Sequence, residues 1–345
     1  MAQINKSTEY FNTKLYTGNS STNAITGVGF QPDLVWIKSR SVIRDHVLTD
    51  SVRGIASQIH SNTTDAESTY TNDVTSFDSD GFTVSTDSDV NGDTFTYASW
   101  NWLASNTTAS NTDGSITSTV SANTTSGFSI GTYTGTNVDN TVGHGLGVAP
   151  DVIMVKCTST AHDWVVYHSA LGSGSAIALN LTDASYGATG WQNTEPTSTV
   201  FSIDNAANSV NQSGQSFVFY AFAEKKGFSK FGSYTGNGNS DGTFIYTGFK
   251  PAFVIMKRTD TTGNWLLFDN NRSSSGGSNL IQQYLYPNLN DAEDSDATRG
   301  IDFLSNGFKQ RNDFSAINAS GGSYIYMAFA EQPLVGTNNI PATAR

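Results

Sequence analysis

The run Asp87-Ser-Asp-Val-Asn-Gly-Asp93 gathers the densest set of oxygen ligands in the chain. Asp87, Asp89 and Asn91, followed by Gly92, match the opening half of a calcium loop, in which alternate oxygen side chains and a glycine bend the chain around a hard cation. The complete loop needs an acidic bidentate ligand at its twelfth position, and here that position is Ala98, inside an apolar run. The expectation is a solvated Asn-Gly hairpin turn, with at most a weak Ca²⁺ site on Asp87, Asp89, Asn91 and Asp93. No cofactor is expected.

Other chemistry is thinly spread. His46, His60, His144, His162 and His168 share no metal-ligand spacing. The run "GSGSA", Gly172–Ala176, has no helix behind it and is not read as a nucleophile elbow. A glycosidase needs two carboxylates about 5–10 Å apart, and nothing selects a pair: Glu224 and Glu331 end equivalent runs, while Asp78, Asp80, Asp291, Glu293 and Asp294 lie in loop-like stretches. The chain is therefore not expected to be an enzyme. Trp164 and Trp265 open equivalent runs and are expected in the core. Trp191, in "ATGWQNTEP", has no such counterpart, and with Asp291 and Glu293 it is the candidate for an exposed binding contact. Cys157, the lone cysteine, closes an apolar run and is expected to pack as a small residue.

The elements that would carry these residues recur three times. "GFQPDLVWIK" ends at Lys38, "GVAPDVIMVK" at Lys156 and "GFKPAFVIMK" at Lys257. Each is preceded by Tyr-Thr-Gly, starting at Tyr16, Tyr133 and Tyr234, and the offsets between copies agree at both landmarks to within one residue. Agreement at two landmarks marks a duplicated unit. Each unit continues through "HVLTD", "WVVYH" or "WLLFD" and ends in "FTYASWNWLA", "FVFYAFAE" or "YIYMAFAE". The alternation and the β-branched and aromatic content predict strands, and units of about 100 residues suit β-sandwiches. The expected architecture is all-β: three tandem sandwiches with jelly-roll or Greek-key connections. They span residues 1–107, 127–226 and 227–331. A flexible Ser/Thr/Asn-rich linker would cover 108–126 and a tail 332–345, and each apolar core would be completed within its own unit.

The chain has 345 residues and a formal charge of −12, with only 14% charged residues. A net acidic surface repels phosphate backbones, so no nucleic-acid partner is expected. No apolar run approaches the roughly 20 residues of a membrane helix, so no membrane insertion is expected. The opening "MAQINKSTEYF" lacks the apolar stretch of a secretory signal.

Several long runs, including "VGHGLGVAPDVIMVK", "GFSKFGSYTGNGN", "IDFLSNGFK" and "YIYMAFAE", resemble structural proteins of tailed bacteriophages from marine and freshwater sources. The resemblance covers nearly the whole chain. It implies a virion component, assembled in the host cytoplasm and bound to other virion proteins, without catalytic residues. Two readings follow: a tail-fibre or adhesin-like appendage touching host surface glycan, or a capsid decoration, tail or neck protein that binds only virion proteins. A homo-oligomer is expected, a trimer first, with assembly contacts from the tail through Pro333, Leu334, Val335 and Ile340.

Overall fold

The computed structural model of the chain describes residues 3–187, 190–205, 207–273, 279–337 and 341–342. These residues are nearly all β, with multiple antiparallel sheets and, among the described residues, no closed barrel, a sandwich-type fold. Each unit has an inner sheet of one order: opening strand, closing strand, Pro–Lys strand, hairpin partner. In the first unit these are Phe11–Thr17, Thr96–Trp102, Leu34–Ser39 and Val47–Asp50. In the third they are Ser229–Thr235, Ser323–Pro333, Phe249–Arg258 and Trp265–Asp269. A smaller outer sheet covers each inner one: Phe244–Tyr246, Gly307–Gln310, Ile301–Leu304 and Leu280–Ile281 in the third unit. The fourth strand of each unit stays beside the third as a hairpin, whereas a jelly roll would send it to the opposite sheet. The short connection from Arg258 to Trp265 leaves no length for that crossing.

The glycine that opens each Pro–Lys run is fixed by backbone geometry. Gly29, Gly147 and Gly248 have φ of 94°, 70° and 80°. A Cβ on Gly147 would meet nothing within 4 Å, so conformation rather than space demands glycine there. Pro32 and Pro150 precede their strands. Pro251 lies within its strand, at a register shift between Lys250 and Phe253, a bulge that dispenses with its missing N–H.

The 108–126 stretch is not a flexible linker. Ala109–Asn111 and Ser118–Asn123 pair with each other and then with the opening strand Phe128–Thr134, and with Ser175–Ala178 and Tyr186–Gly187 added beyond the hairpin partner Val165–His168 the second unit's inner sheet has eight strands. Ile116 and Val120 are enough to anchor them in that unit's core. The Asn-Gly stretch is not a hairpin turn either. Ser88–Asn91, Asn208–Asn211 and Ser315–Asn318 are single helical turns. Positive φ falls three residues beyond each Asn, at Thr94, Gly214 and Gly321.

The sandwich cores are not completed within the units. On the Pro–Lys strands, Val35 and Ile37, Ile153 and Val155, and Val254 and Met256 face their own outer sheets. The alternate residues Leu34 and Trp36, Val152 and Met154, and Phe253 and Ile255 all enter one common core. The closing strands add Trp100 and Trp102, Tyr220 and Phe222, and Met327 and Phe329 to that core. The inner sheets are thus buried on both faces, which is why these runs are continuously apolar. Phe329 touches rings from every unit: Phe11 and Trp102 from the first, Phe222 from the second and Phe253 from the third.

A shared core predicts shared unfolding. Calorimetry of the whole chain should show one transition with equal calorimetric and van't Hoff enthalpies. Phe329→Ala should lower stability by about 3–5 kcal/mol without splitting that transition. Separate melting of the units would contradict the common core.

Candidate functional site

The side chains with the most chemistry lie on the seams between units, and they recur in rotation. Trp164 of the second unit donates from Nε1 to the His60 carbonyl of the first at 2.8 Å. Trp265 of the third donates to the Ala178 carbonyl of the second at 2.9 Å. His46 of the first closes the ring, its Nε2 lying 3.0 Å from the Tyr286 carbonyl of the third. A carbonyl only accepts, so Nε2 carries the proton, and Nδ1 accepts from Trp36 Nε1 at 2.8 Å. Burial holds the His46 ring well below the ordinary histidine pKa. The backbone repeats the rotation: His162 N to Thr64 O at 2.9 Å, Gly263 N to Thr182 O at 2.7 Å, and Arg44 N to Asn290 O at 3.0 Å.

A second ring of contacts joins the hairpin partners to the neighbouring closing strands. Asp50 accepts from Tyr220 Oη at 2.7 Å, and Asp269 accepts from Trp100 Nε1 at 3.0 Å. At the equivalent place His168 Nε2 meets the Tyr326 carbonyl at 3.2 Å, because the adjacent Met327 offers no polar head. Two of these joints hold buried arginines. Arg53 Nε meets Asp50 at 2.6 Å and its Nη1 meets Glu67 at 2.8 Å. Arg272 pairs with Asp269 at 2.5 Å and with Glu293 at 3.0 Å. The second unit replaces the whole set together, with His168, Leu171 and Ser185 where the others carry Asp, Arg and Glu. Replacing a carboxylate without its arginine would strand a buried charge.

Each seam also buries the lysine that ends the apolar run. Lys156 Nζ donates to Thr64 O at 2.8 Å and to His162 O at 2.7 Å. Lys257 donates to Arg258 O at 2.6 Å and to Thr182 O at 3.3 Å, and Lys38 to Ser39 O at 2.8 Å. Desolvation pushes all three down to about 8, against the pull of neighbouring aspartates.

The candidate residues named from sequence fall differently from expectation. Trp191 is 2% exposed, packed against Tyr167 and Phe201, so its ring is not offered to a ligand. Glu293 is drawn into the seam by Arg40, at 2.9 and 2.8 Å, and by Arg272. Asp291 is exposed beside it. Asn91 cannot serve as a ligand in a calcium loop: its Oδ1 accepts from Asn19 N, and its Nδ2 donates to the Ser21 and Ser85 carbonyls. Asn211 and Asn318 brace their units in the same way. Asp87 caps the helical turn through Asp89 N at 2.8 Å, while Asp93 is exposed. Among the described residues no three His, Cys, Asp or Glu side chains converge to hold a metal.

Pro333 ends the closing strand and is buried, Leu334 is half-buried and Val335 is exposed. Ile340 lies outside the described residues. The tail laces to the chain's start, with Gln3 Nε2 to Val335 O at 2.6 Å and Asn5 Nδ2 to Thr337 Oγ1 at 2.8 Å. The common core keeps a void of about 20 Å³ among Trp36, Trp102, Phe253 and Phe329, too apolar to hold water. Outward aromatics that sequence reading missed include a pair on one edge strand, Phe244 and Tyr246, 43% and 58% exposed, besides the single rings of Tyr70 and Tyr186. The signal was available: the other units carry Ala24 and Thr26, or Thr141 and Gly143, at those places.

These features define an all-β protein of three interlocked sandwich units, braced by buried ionic and hydrogen-bonded seams. A family model described as a domain of unknown function (DUF7483) matches residues 6–333, one model across all three units, and the chain belongs to that family. Comparison with curated proteins and with solved structures gave no match. Among the described residues no helix is long and apolar enough to cross a membrane.

Two outcomes test the seams. Glu293→Gln removes one partner of a fully buried arginine and should cost about 3 kcal/mol in denaturant unfolding, whereas Asp291→Asn should change little. The lysines set a pH dependence. Their folded pKa lies below the ordinary value near 10.5, so between about pH 8 and 10 the unfolded chain binds more protons than the folded one. Stability should therefore rise with pH across that window, by about 1–3 kcal/mol per lysine. Lys156→Met should remove about a third of the rise.

Proposed function

We propose that the chain is a structural subunit displayed on a bacteriophage particle, working through its surfaces rather than through catalysis. The observation that carries this reading is the placement of the reactive side chains. Lysines, arginines, carboxylates, histidines and tryptophans at repeat-equivalent positions hold three units in a closed ring. Such bracing suits a part that must keep its shape while attached to a larger assembly. The virion context rests on the resemblance of the long sequence runs to phage structural proteins.

Within that context the first reading is an adhesin-like appendage that touches host surface glycan. Phe244 and Tyr246 support it, since exposed aromatic rings suit stacking on sugars and these two stand side by side on one edge strand. The second reading is a decoration protein on the capsid, and the rotational repeat of the seams favours it, because a body with internal threefold pseudo-symmetry matches a threefold lattice position. The same repeat gives one chain three related faces, whereas the homotrimer first expected would set three chains about one axis to gain multivalency. Other virion proteins are its partners in either case.

Quantitative mass spectrometry of purified particles decides between the readings. A few to a few dozen copies per particle indicates an appendage, and hundreds indicate decoration. A chain made during infection but absent from particles would overturn the proposal.

A further inference from the structure

Asp73 stands immediately before the strand Val74–Asp78, is 2% exposed, and has no hydrogen-bond donor at either carboxylate oxygen. Its neighbourhood is fixed by backbone bonds: Ser85 N donates to Asp73 O at 2.8 Å, and Asp87 N to Asn72 O at 3.0 Å. These draw the Asp87 loop alongside, so that the Asp73 and Asp87 carboxyl groups come within hydrogen-bonding reach, with the charge of Asp89 close by. Asp87 uses Oδ1 for the helical cap. Asp89 is partly neutralised by Arg44, 3.2 Å away. Asn91 is fully engaged elsewhere.

Asp87 is half-buried, and a buried carboxylate without a donor, set beside a second carboxylate, is repelled strongly unless something positive lies between them. We propose that Asp73 and Asp87 form a divalent-cation site, with Ca²⁺ as the fitting ion and Asp73 as its principal ligand. Ca²⁺ accepts irregular oxygen sets completed by water, whereas Mg²⁺ demands near-octahedral geometry. Only two protein carboxylates contribute directly, so the affinity belongs with weak sites of Kd about 10⁻⁴–10⁻³ M. The site differs from the calcium-loop reading of the sequence: it replaces Asn91 and Asp93 with a residue upstream of the loop. It occurs once per chain, because the equivalent pairs are Thr199 with Ala207 and Gly300 with Phe314.

Terbium luminescence tests it, since Tyr16 and Tyr97 lie close enough to these carboxylates to sensitise a bound lanthanide. Wild-type protein should show sensitised Tb³⁺ emission that Ca²⁺ displaces at sub-millimolar to millimolar concentration. Asp73→Asn should weaken Tb³⁺ binding at least about tenfold, and Asp93→Asn should leave it unchanged. In melting experiments Ca²⁺ should raise Tm relative to EDTA in wild type and not in Asp73→Asn. Asp87→Asn provides the same readout if Asp73→Asn does not fold. Equal Tb³⁺ binding by wild type and both variants would overturn the proposal. So would a wild-type Tm indifferent to Ca²⁺ with no sensitised emission, which would mean that the two carboxyls share a proton instead.

Discussion

Burial of the inner sheets on both faces is the constraint on which the rest of the structure depends. A two-layer sandwich normally leaves the outside of each sheet in water. Here the face of each inner sheet that points away from its own outer sheet carries Leu34 and Trp36, Val152 and Met154, or Phe253 and Ile255. No single unit can cover that face. Three can, provided each turns the same face inward, and the third must then close against the first. The heterologous contact between units forms a ring because the rotation closes.

Closure explains the polar groups that sit so deep. Lys38, Lys156 and Lys257, the Arg53 and Arg272 ion pairs, and the Trp–carbonyl bonds all lie where one unit meets the next. Buried charges add little net stability over apolar residues of the same volume, but they penalise any arrangement that leaves them unpaired. At a joint between three similar bodies, that penalty selects the register. The second unit shows that the set behaves as a whole: His168, Leu171 and Ser185 change together, and the joint survives through a backbone carbonyl.

The rigid ring leaves function to whatever differs among the units. The polar groups inside the seams depend on one another, whereas the outer sheets and loops differ in size among the three units. The exposed Phe244 and Tyr246 belong only to the third unit, and the facing Asp73 and Asp87 only to the first. Departures from the repeat are therefore better guides to binding than the repeat itself.

The sequence by itself determined the threefold duplication, the all-β class and the strand that ends at each buried lysine, because these follow from local alternation and from glycines held at positive φ. It also marked the paired Trp164 and Trp265 as core residues. It misled wherever a residue's meaning depends on a distant partner. The stretch 108–126 read as a linker because its strands need only Ile116 and Val120 to anchor them. Trp191 read as exposed because its covering rings, Tyr167 and Phe201, come from other strands. Glu293 read as a loop carboxylate because its arginines lie at positions 40 and 272. Only the tertiary structure decided that the three cores are one. A strand's apolar run states that both faces are buried, but which surface covers the second face is settled by packing between units, which no local pattern encodes.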